Sequence, residues 1–136
     1  MTGPGVLHWW IVLSWVSLPT VMFGGYSLLR LINRGNALTP FQITWFRAGH
    51  AHAGVLLVMS LVYYGFMERT ALSLATKHLA CAVLAVGVMA QSGGFFIHMA
   101  VGKPEQHSIG NTVTGFGALL LSAAIAVLVV GLVMPQ

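Results

Sequence analysis

The stretch FRAGHAHAGVLLVM places three polar side chains, Arg47, His50 and His52, in otherwise apolar surroundings. Imidazole nitrogens are common ligands of transition metals and of heme iron. Residues two positions apart lie about 200° apart around a helix with 3.6 residues per turn. On a regular helix the two imidazoles would point to nearly opposite sides and could not chelate one ion. The spacing therefore predicts two separate partners, or one ligand and one structural hydrogen bond.

The residues around the two histidines are small and leave open surface on both sides. They are Ala48, Gly49, Ala51, Ala53 and Gly54. A broad planar ligand needs such a surface, and so does a closely packed neighbouring helix. The pattern leaves both interpretations open.

A second candidate face recurs at helical spacing further along the chain. It consists of Gln91, Gly94, Phe95 and His98. The run QSGGFF removes side-chain bulk one turn before His98, so an imidazole flanked by glycine and aromatic residues could face a porphyrin. The glycines could equally serve only to let two helices approach closely.

A third group of potential ligands surrounds the short segment 102–107. His98, Glu105 and His107 could combine there with one histidine of the FRAGHAHAGVLLVM stretch. Imidazole and carboxylate together suit Zn, Cu or Fe. A transition-metal binding or transport site is therefore an alternative to heme.

The composition predicts an integral membrane protein. The chain has 136 residues, of which 57% are hydrophobic and 6% charged, whereas soluble domains are typically about 25% charged. The mean hydropathy is +0.87. The net charge of +4 rests on six basic and two acidic residues, so we expect no nucleic-acid partner. The single cysteine, Cys81, cannot form an intrachain disulfide.

Four apolar segments are long enough to span a bilayer as helices, for which about 20 residues suffice. They cover about 7–32, 41–67, 72–101 and 108–134. The first follows no basic region of the signal-peptide type, so we interpret it as a retained span. The connections 33–40, 68–71 and 102–107 are short and favour antiparallel neighbours. The chain is predicted to be one all-α domain, an antiparallel up-down-up-down four-helix bundle in the lipid bilayer.

The alternation of the spans sorts the polar residues between the two sides of the membrane. Arg30, Arg34, Arg47 and Lys103 fall on one side, and Arg69 and Lys77 on the other. Positive-inside counting then favours a cytoplasmic 33–40 connection with both termini outside. The half of the membrane on the side of the 33–40 connection also contains His50, His52, His98 and His107. His8 and His78 belong to the opposite half.

The sequence His-Ala-His-Ala-Gly near the start of an apolar helix resembles the His-x-His helix of the catalytic subunits of heme-copper oxidases and nitric-oxide reductases. It is also similar to small four-helix membrane proteins that look like pieces of such subunits, and the resemblance covers about residues 45–100. In the large subunits the two histidines ligate hemes on opposite sides of one helix. The resemblance implies that His50 and His52 are axial heme ligands and that Arg47 pairs with a heme propionate.

The chain has no His-His pair or His–Tyr copper-site pattern of the full-length subunits, so we do not expect it to reduce O2 or NO alone. The sequence predicts one or two b-type hemes for electron transfer or small-gas binding, in a protein that could be a component of an oxidoreductase. His98 is the expected second axial ligand. A homo-oligomer or a redox partner subunit, in a bacterial or archaeal cytoplasmic membrane, fits this function. A non-catalytic membrane subunit, whose histidines make interhelical hydrogen bonds, is the remaining alternative.

Overall fold

The computed structural model describes residues 5–35 and 37–135, and within these ranges the chain forms four α-helices and no strand. The helices are α1 (His8–Asn33), α2 (Pro40–Glu68), α3 (Leu74–Val101) and α4 (Ile109–Val133). The all-α class is confirmed, and each helix begins and ends within two residues of the predicted span. Asn36, in the 33–40 connection, lies outside the described residues.

Local sequence signals explain where three of the helices begin. Thr39 and Gln42 form a capping box at the start of α2, and Ser108 and Asn111 form another at the start of α4. The Ser73 side chain accepts a hydrogen bond from the Thr76 N–H at the start of α3. Such caps satisfy backbone N–H groups that have no partner within the helix.

Each helix is long and apolar enough to cross a membrane, with a mean hydropathy between 1.3 and 2.7 over its most apolar 18 residues. Large apolar side chains also cover the outer surface of the four helices. Trp9 is 77% exposed and Val133 is 80% exposed, for example. A surface of this kind is unusual for a protein surrounded by water.

Three hydrogen bonds join the start of α1, the end of α2 and the start of α3. The Glu68 carboxylate accepts from the backbone N–H of Leu7 at 3.0 Å. The Lys77 ammonium group donates to the backbone carbonyl oxygen of Glu68 at 3.0 Å. The indole N–H of Trp10 donates to Nδ1 of His78, also at 3.0 Å. These bonds bring the three helix ends together at one end of the molecule.

The same end holds most of the buried core. Tyr64, Met67, Cys81 and Leu84 are at most 2% exposed. The buried hydroxyl of Tyr63 donates to the carbonyl oxygen of Ala124 at 2.9 Å and joins α2 to α4. The pair of histidines at the start of α2 therefore lies away from the best-packed part of the structure.

Candidate functional site

His52 lies on the side of α2 that faces α3. Its Nδ1 is 2.8 Å from the carbonyl oxygen of Ala48, one turn earlier. A carbonyl oxygen can only accept, so Nδ1 carries the proton, and in the neutral imidazole Nε2 then has a free lone pair. The imidazole packs against the ring of Phe95 with the centroids 4.5 Å apart. A histidine held in this tautomer presents Nε2 as a potential metal ligand.

His50 contacts the opposite neighbour, α1. A Cβ atom added at Gly25 would lie 2.8 Å from His50 Nε2, and one at Gly24 would lie 3.6 Å from Nδ1. The two glycines thus form a notch that receives the imidazole. His50 and His52 contact different helices, and the notch on α1 is filled by the His50 ring.

Arg47 precedes His50 by just under one turn and is exposed on α2. Glu68 lies at the far end of α2, and Glu105 follows α3 at the same end of the molecule as Arg47. Arg47 forms no ion pair in the described part of the chain. Its guanidinium group is therefore available to an anionic partner at the surface.

His98 is the most buried histidine and lies in the last turn of α3. It is 3% exposed, and its Nδ1 lies 2.7 Å from the hydroxyl oxygen of Ser108. Its ring stands edge-on to Trp45 at 4.2 Å and lies 5.3 Å from the ring of Phe41. The imidazole is thus enclosed between α2 and the start of α4.

A continuous row of aromatic rings connects His98 with His52. Trp45 touches His98 on one side and stacks on Phe95 at 5.8 Å on the other, and Phe95 touches His52. Each imidazole therefore has its own aromatic neighbour in the row. Phe41 and Trp45 were not predicted as site residues from the sequence. Their spacing of four positions, with His52 seven positions further, is the helical periodicity that could have found them.

The predicted face of α3 divides between two neighbours. Phe95 faces α2, whereas a Cβ atom at Gly94 would meet Thr114 and Gly110 of α4. The Gln91 backbone also packs on α4, where its carbonyl oxygen accepts from the Thr114 hydroxyl at 3.4 Å. Close helix approach thus accounts for Gly94. At Gly93 a Cβ would meet nothing within 4 Å.

The potential metal ligands of the α3–α4 connection surround an open cavity of about 490 Å³. It is lined by Phe41, Trp45, His98, Pro104, Glu105, Gln106, His107 and Asn111. Across residues 5–35 and 37–135, however, no three His, Cys, Asp or Glu side chains converge closely enough to hold a metal ion. The cavity brings His98, Glu105 and His107 to its wall but neither histidine of the second span, and the described residues form no coordination shell there.

The remaining histidines belong to the other end of the molecule. His8 is exposed beside Trp9, and His78 accepts the hydrogen bond of Trp10. Neither lies beside His52 or His98. Their surroundings are consistent with interfacial and structural roles.

Comparison with protein-family models, curated proteins and solved structures finds no match to this chain.

Proposed function

We propose that this chain is a b-type heme-binding integral membrane protein that serves electron transfer or small-gas binding. The observation that carries the proposal is the state of His52. Its Nδ1–H is engaged by the Ala48 carbonyl oxygen, and its Nε2 has no partner among the described residues. This hydrogen bond fixes the tautomer and orients the ring in the way that histidine ligands of metals require.

The surroundings of His52 fit a heme better than those of His50. On the α3 side, aromatic rings of Trp45 and Phe95 could pack on a macrocycle. On the α1 side, the His50 imidazole already fills the Gly24–Gly25 notch. Heme iron bound at His52 would supply one-electron chemistry or a position for a diatomic gas. A second heme at His50 would require α1 to move away from α2.

His52 and His98 could ligate the same heme only if the row of aromatic rings rearranged. His52 packs on Phe95 and His98 packs on Trp45, so these two aromatic side chains lie between the two imidazoles. A histidine of a second copy of this chain is the other candidate for the sixth ligand. Exposed Arg47 remains the candidate for a propionate partner.

We also propose that the four helices insert in the bilayer as an antiparallel up-down-up-down bundle. The support is their apolar length, their exposed apolar surface and the short connections. The excess of basic residues favours the side of segment 33–40 as cytoplasmic. In a Cys81→Ser background, a membrane-impermeant maleimide should label Ala37→Cys and Gln106→Cys from one side and Ala71→Cys from the other. Labelling of all three from the same side would contradict this topology.

The heme proposal is tested by the absorption spectrum of the protein purified after expression with added heme precursor. We expect a Soret band that shifts on reduction with dithionite, and a pyridine hemochrome of the b type. A colourless protein that is folded and monodisperse would overturn the proposal.

A non-catalytic membrane subunit is the second candidate, and two contacts favour it. His50 fills a glycine notch on α1, and His98 bonds to Ser108 of the α4 cap. Both are contacts that a histidine used only for helix packing would make. This candidate predicts that substitutions of these histidines lower stability and that no heme spectrum exists to change.

A further inference from the structure

The open cavity of about 490 Å³ beside the α3–α4 connection has the size of a small-molecule site. Ligand pockets typically measure about 300–1,000 Å³, whereas a metal ion needs only a compact shell of side-chain atoms. The cavity therefore suits an organic ligand, in agreement with the absence of a converged metal-binding group among the described side chains.

The inner wall of the cavity contains a buried imidazole with one unused nitrogen. His98 is 3% exposed, and its Nδ1 is engaged by the Ser108 hydroxyl. Nε2 has no partner in the described part of the chain, where no buried side-chain nitrogen or oxygen lacks a hydrogen bond. The small remaining exposure of His98 therefore includes Nε2, and His98 is one of the residues that line the cavity.

The other lining groups define the chemistry of the ligand. Phe41 and Trp45 supply flat apolar walls, and both rings contact the His98 imidazole. Glu105 and His107 lie on the connection and add exposed hydrogen-bonding groups. Glu105 has a positive φ of 60°, a backbone conformation that non-glycine residues rarely adopt and that is often found at binding sites.

We propose that this cavity binds the ring of a quinone or phenol. A planar ring with oxygen substituents would stack against Trp45 or Phe41. A phenol hydroxyl would donate to His98 Nε2, whereas a quinone oxygen would accept from Nε2–H in the tautomer whose Nδ1 accepts from Ser108. A substituent on the opposite edge would face Glu105 or His107.

Exposed apolar side chains at the two helix ends beside the connection favour a ligand that carries an apolar tail. Val101, at the end of α3, is 62% exposed, and Ile109, at the start of α4, is 61% exposed. Both lie at helix ends that bracket the connection. A lipid-soluble quinone could place its tail along this apolar surface while its ring enters the cavity.

This proposal does not depend on the heme proposal, although both sites use Trp45. It assigns His98 to the cavity ligand, which is incompatible with His98 as an axial ligand of heme. If heme is bound, His98→Gln should therefore leave its spectrum unchanged and weaken only quinone binding. A changed heme spectrum with unchanged quinone binding would overturn the assignment of His98.

The direct test is photolabelling of the protein in phosphatidylcholine nanodiscs with an azidoquinone, followed by peptide mapping. We expect the label in segments 41–45 and 98–111, with competition by unlabelled decylubiquinone. His98→Gln should lose one neutral hydrogen bond to the ring, worth about 1 kcal/mol. About fivefold more decylubiquinone should then be needed to compete with the label. The matched control His8→Gln, at the other end of the molecule, should bind as the wild type does.

Glu105→Gln is the second variant, because His98→Gln also alters the contact with Ser108. It keeps an exposed polar side chain on the connection. It should weaken competition by decylubiquinol, whose hydroxyl can donate to the carboxylate, without affecting folding. A tail-free dimethoxymethylbenzoquinone should compete more weakly than decylubiquinone. Equal competition by the two compounds would overturn the role given to Val101 and Ile109.

Three results would overturn the ring-binding proposal itself. The first is label spread along the exposed apolar helix surfaces without competition. The second is competition that neither His98→Gln nor Glu105→Gln alters. The third is stoichiometric zinc binding that is lost in His107→Ala, together with no competed quinone label. That third result would instead identify the cavity as a metal site.

Discussion

Nδ1 of His98 and the hydroxyl oxygen of Ser108 lie 2.7 Å apart. This hydrogen bond joins the last turn of α3 to Ser108, the residue immediately before α4. The same hydroxyl accepts from the backbone N–H of Gly110 at 3.1 Å. Ser108 therefore both caps α4 and orients the imidazole that lines the cavity. This dual role makes the short connection between the two helices part of the candidate site.

Ser108→Ala should lower the free energy of unfolding by about 2 kcal/mol, because it removes a helix cap and the hydrogen bond to His98, each worth about 1 kcal/mol. Ser73→Ala is the matched control, since Ser73 caps α3 without contacting a histidine. It should cost about 1 kcal/mol. Unfolding in detergent micelles measures both variants, and equal losses would contradict a contribution from the His98 bond.

His52→Ala should abolish the Soret band of the heme-loaded protein or shift it to that of weakly bound heme. The reason is that the substitution removes an imidazole whose ring is oriented by the Ala48 carbonyl oxygen and whose Nε2 has no partner among the described residues. His8→Ala serves as the control because His8 is exposed at the opposite end of the molecule. An unchanged spectrum and heme content in His52→Ala would exclude His52 as an axial ligand.

Gly25→Ala tests the notch that receives His50. A Cβ atom would lie 2.8 Å from His50 Nε2 and 3.0 Å from Cε1, whereas at Gly65 of α2 a Cβ meets nothing within 4 Å. Alanine at Gly65 should stabilise the helix by up to about 1 kcal/mol. The free energy of unfolding of Gly25→Ala should lie below that of Gly65→Ala by about 1 kcal/mol or more, because the added methyl group overpacks the notch. The difference should disappear in a His50→Ala background; its persistence would show that the imidazole is not the obstacle.

The adjacent glycines of α3 should respond in opposite ways to substitution by alanine. At Gly94 a Cβ would lie 2.5 Å from the backbone nitrogen of Thr114 and 2.6 Å from the carbonyl oxygen of Gly110. Because backbone atoms cannot rotate aside, α3 and α4 would have to separate, at a cost of about 1–3 kcal/mol. Gly93→Ala, with open space around it, should be neutral or stabilising. Thermal unfolding of the two variants checks this, and equal effects would contradict the close helix approach.

Tyr63→Phe should reduce the free energy of unfolding by about 1 kcal/mol through the loss of its buried hydrogen bond to Ala124. Tyr26→Phe makes the same chemical change at a side chain that is 59% exposed. This control should change stability by no more than about 0.5 kcal/mol. If the two variants were equally stable, the bond between α2 and α4 would contribute nothing.

The fold class and the helix bounds could be predicted from the sequence because they depend on local information. Apolar length defines the four helices, and capping residues such as Thr39 and Ser108 define where α2 and α4 begin. The expectation that His50 and His52 cannot share an ion needed only the helical period.

The partners of the polar side chains depend on how the helices pack, which local patterns do not encode. The sequence alone placed Gln91, Gly94, Phe95 and His98 on one candidate face. Packing turns Gly94 toward α4 and Phe95 toward α2, and it inserts Trp45 beside His98. The heme prediction depends on the sequence pattern and on the tautomer of His52. The cavity at the α3–α4 connection arises only in the tertiary structure, because its walls come from α2, α3, the connection and α4.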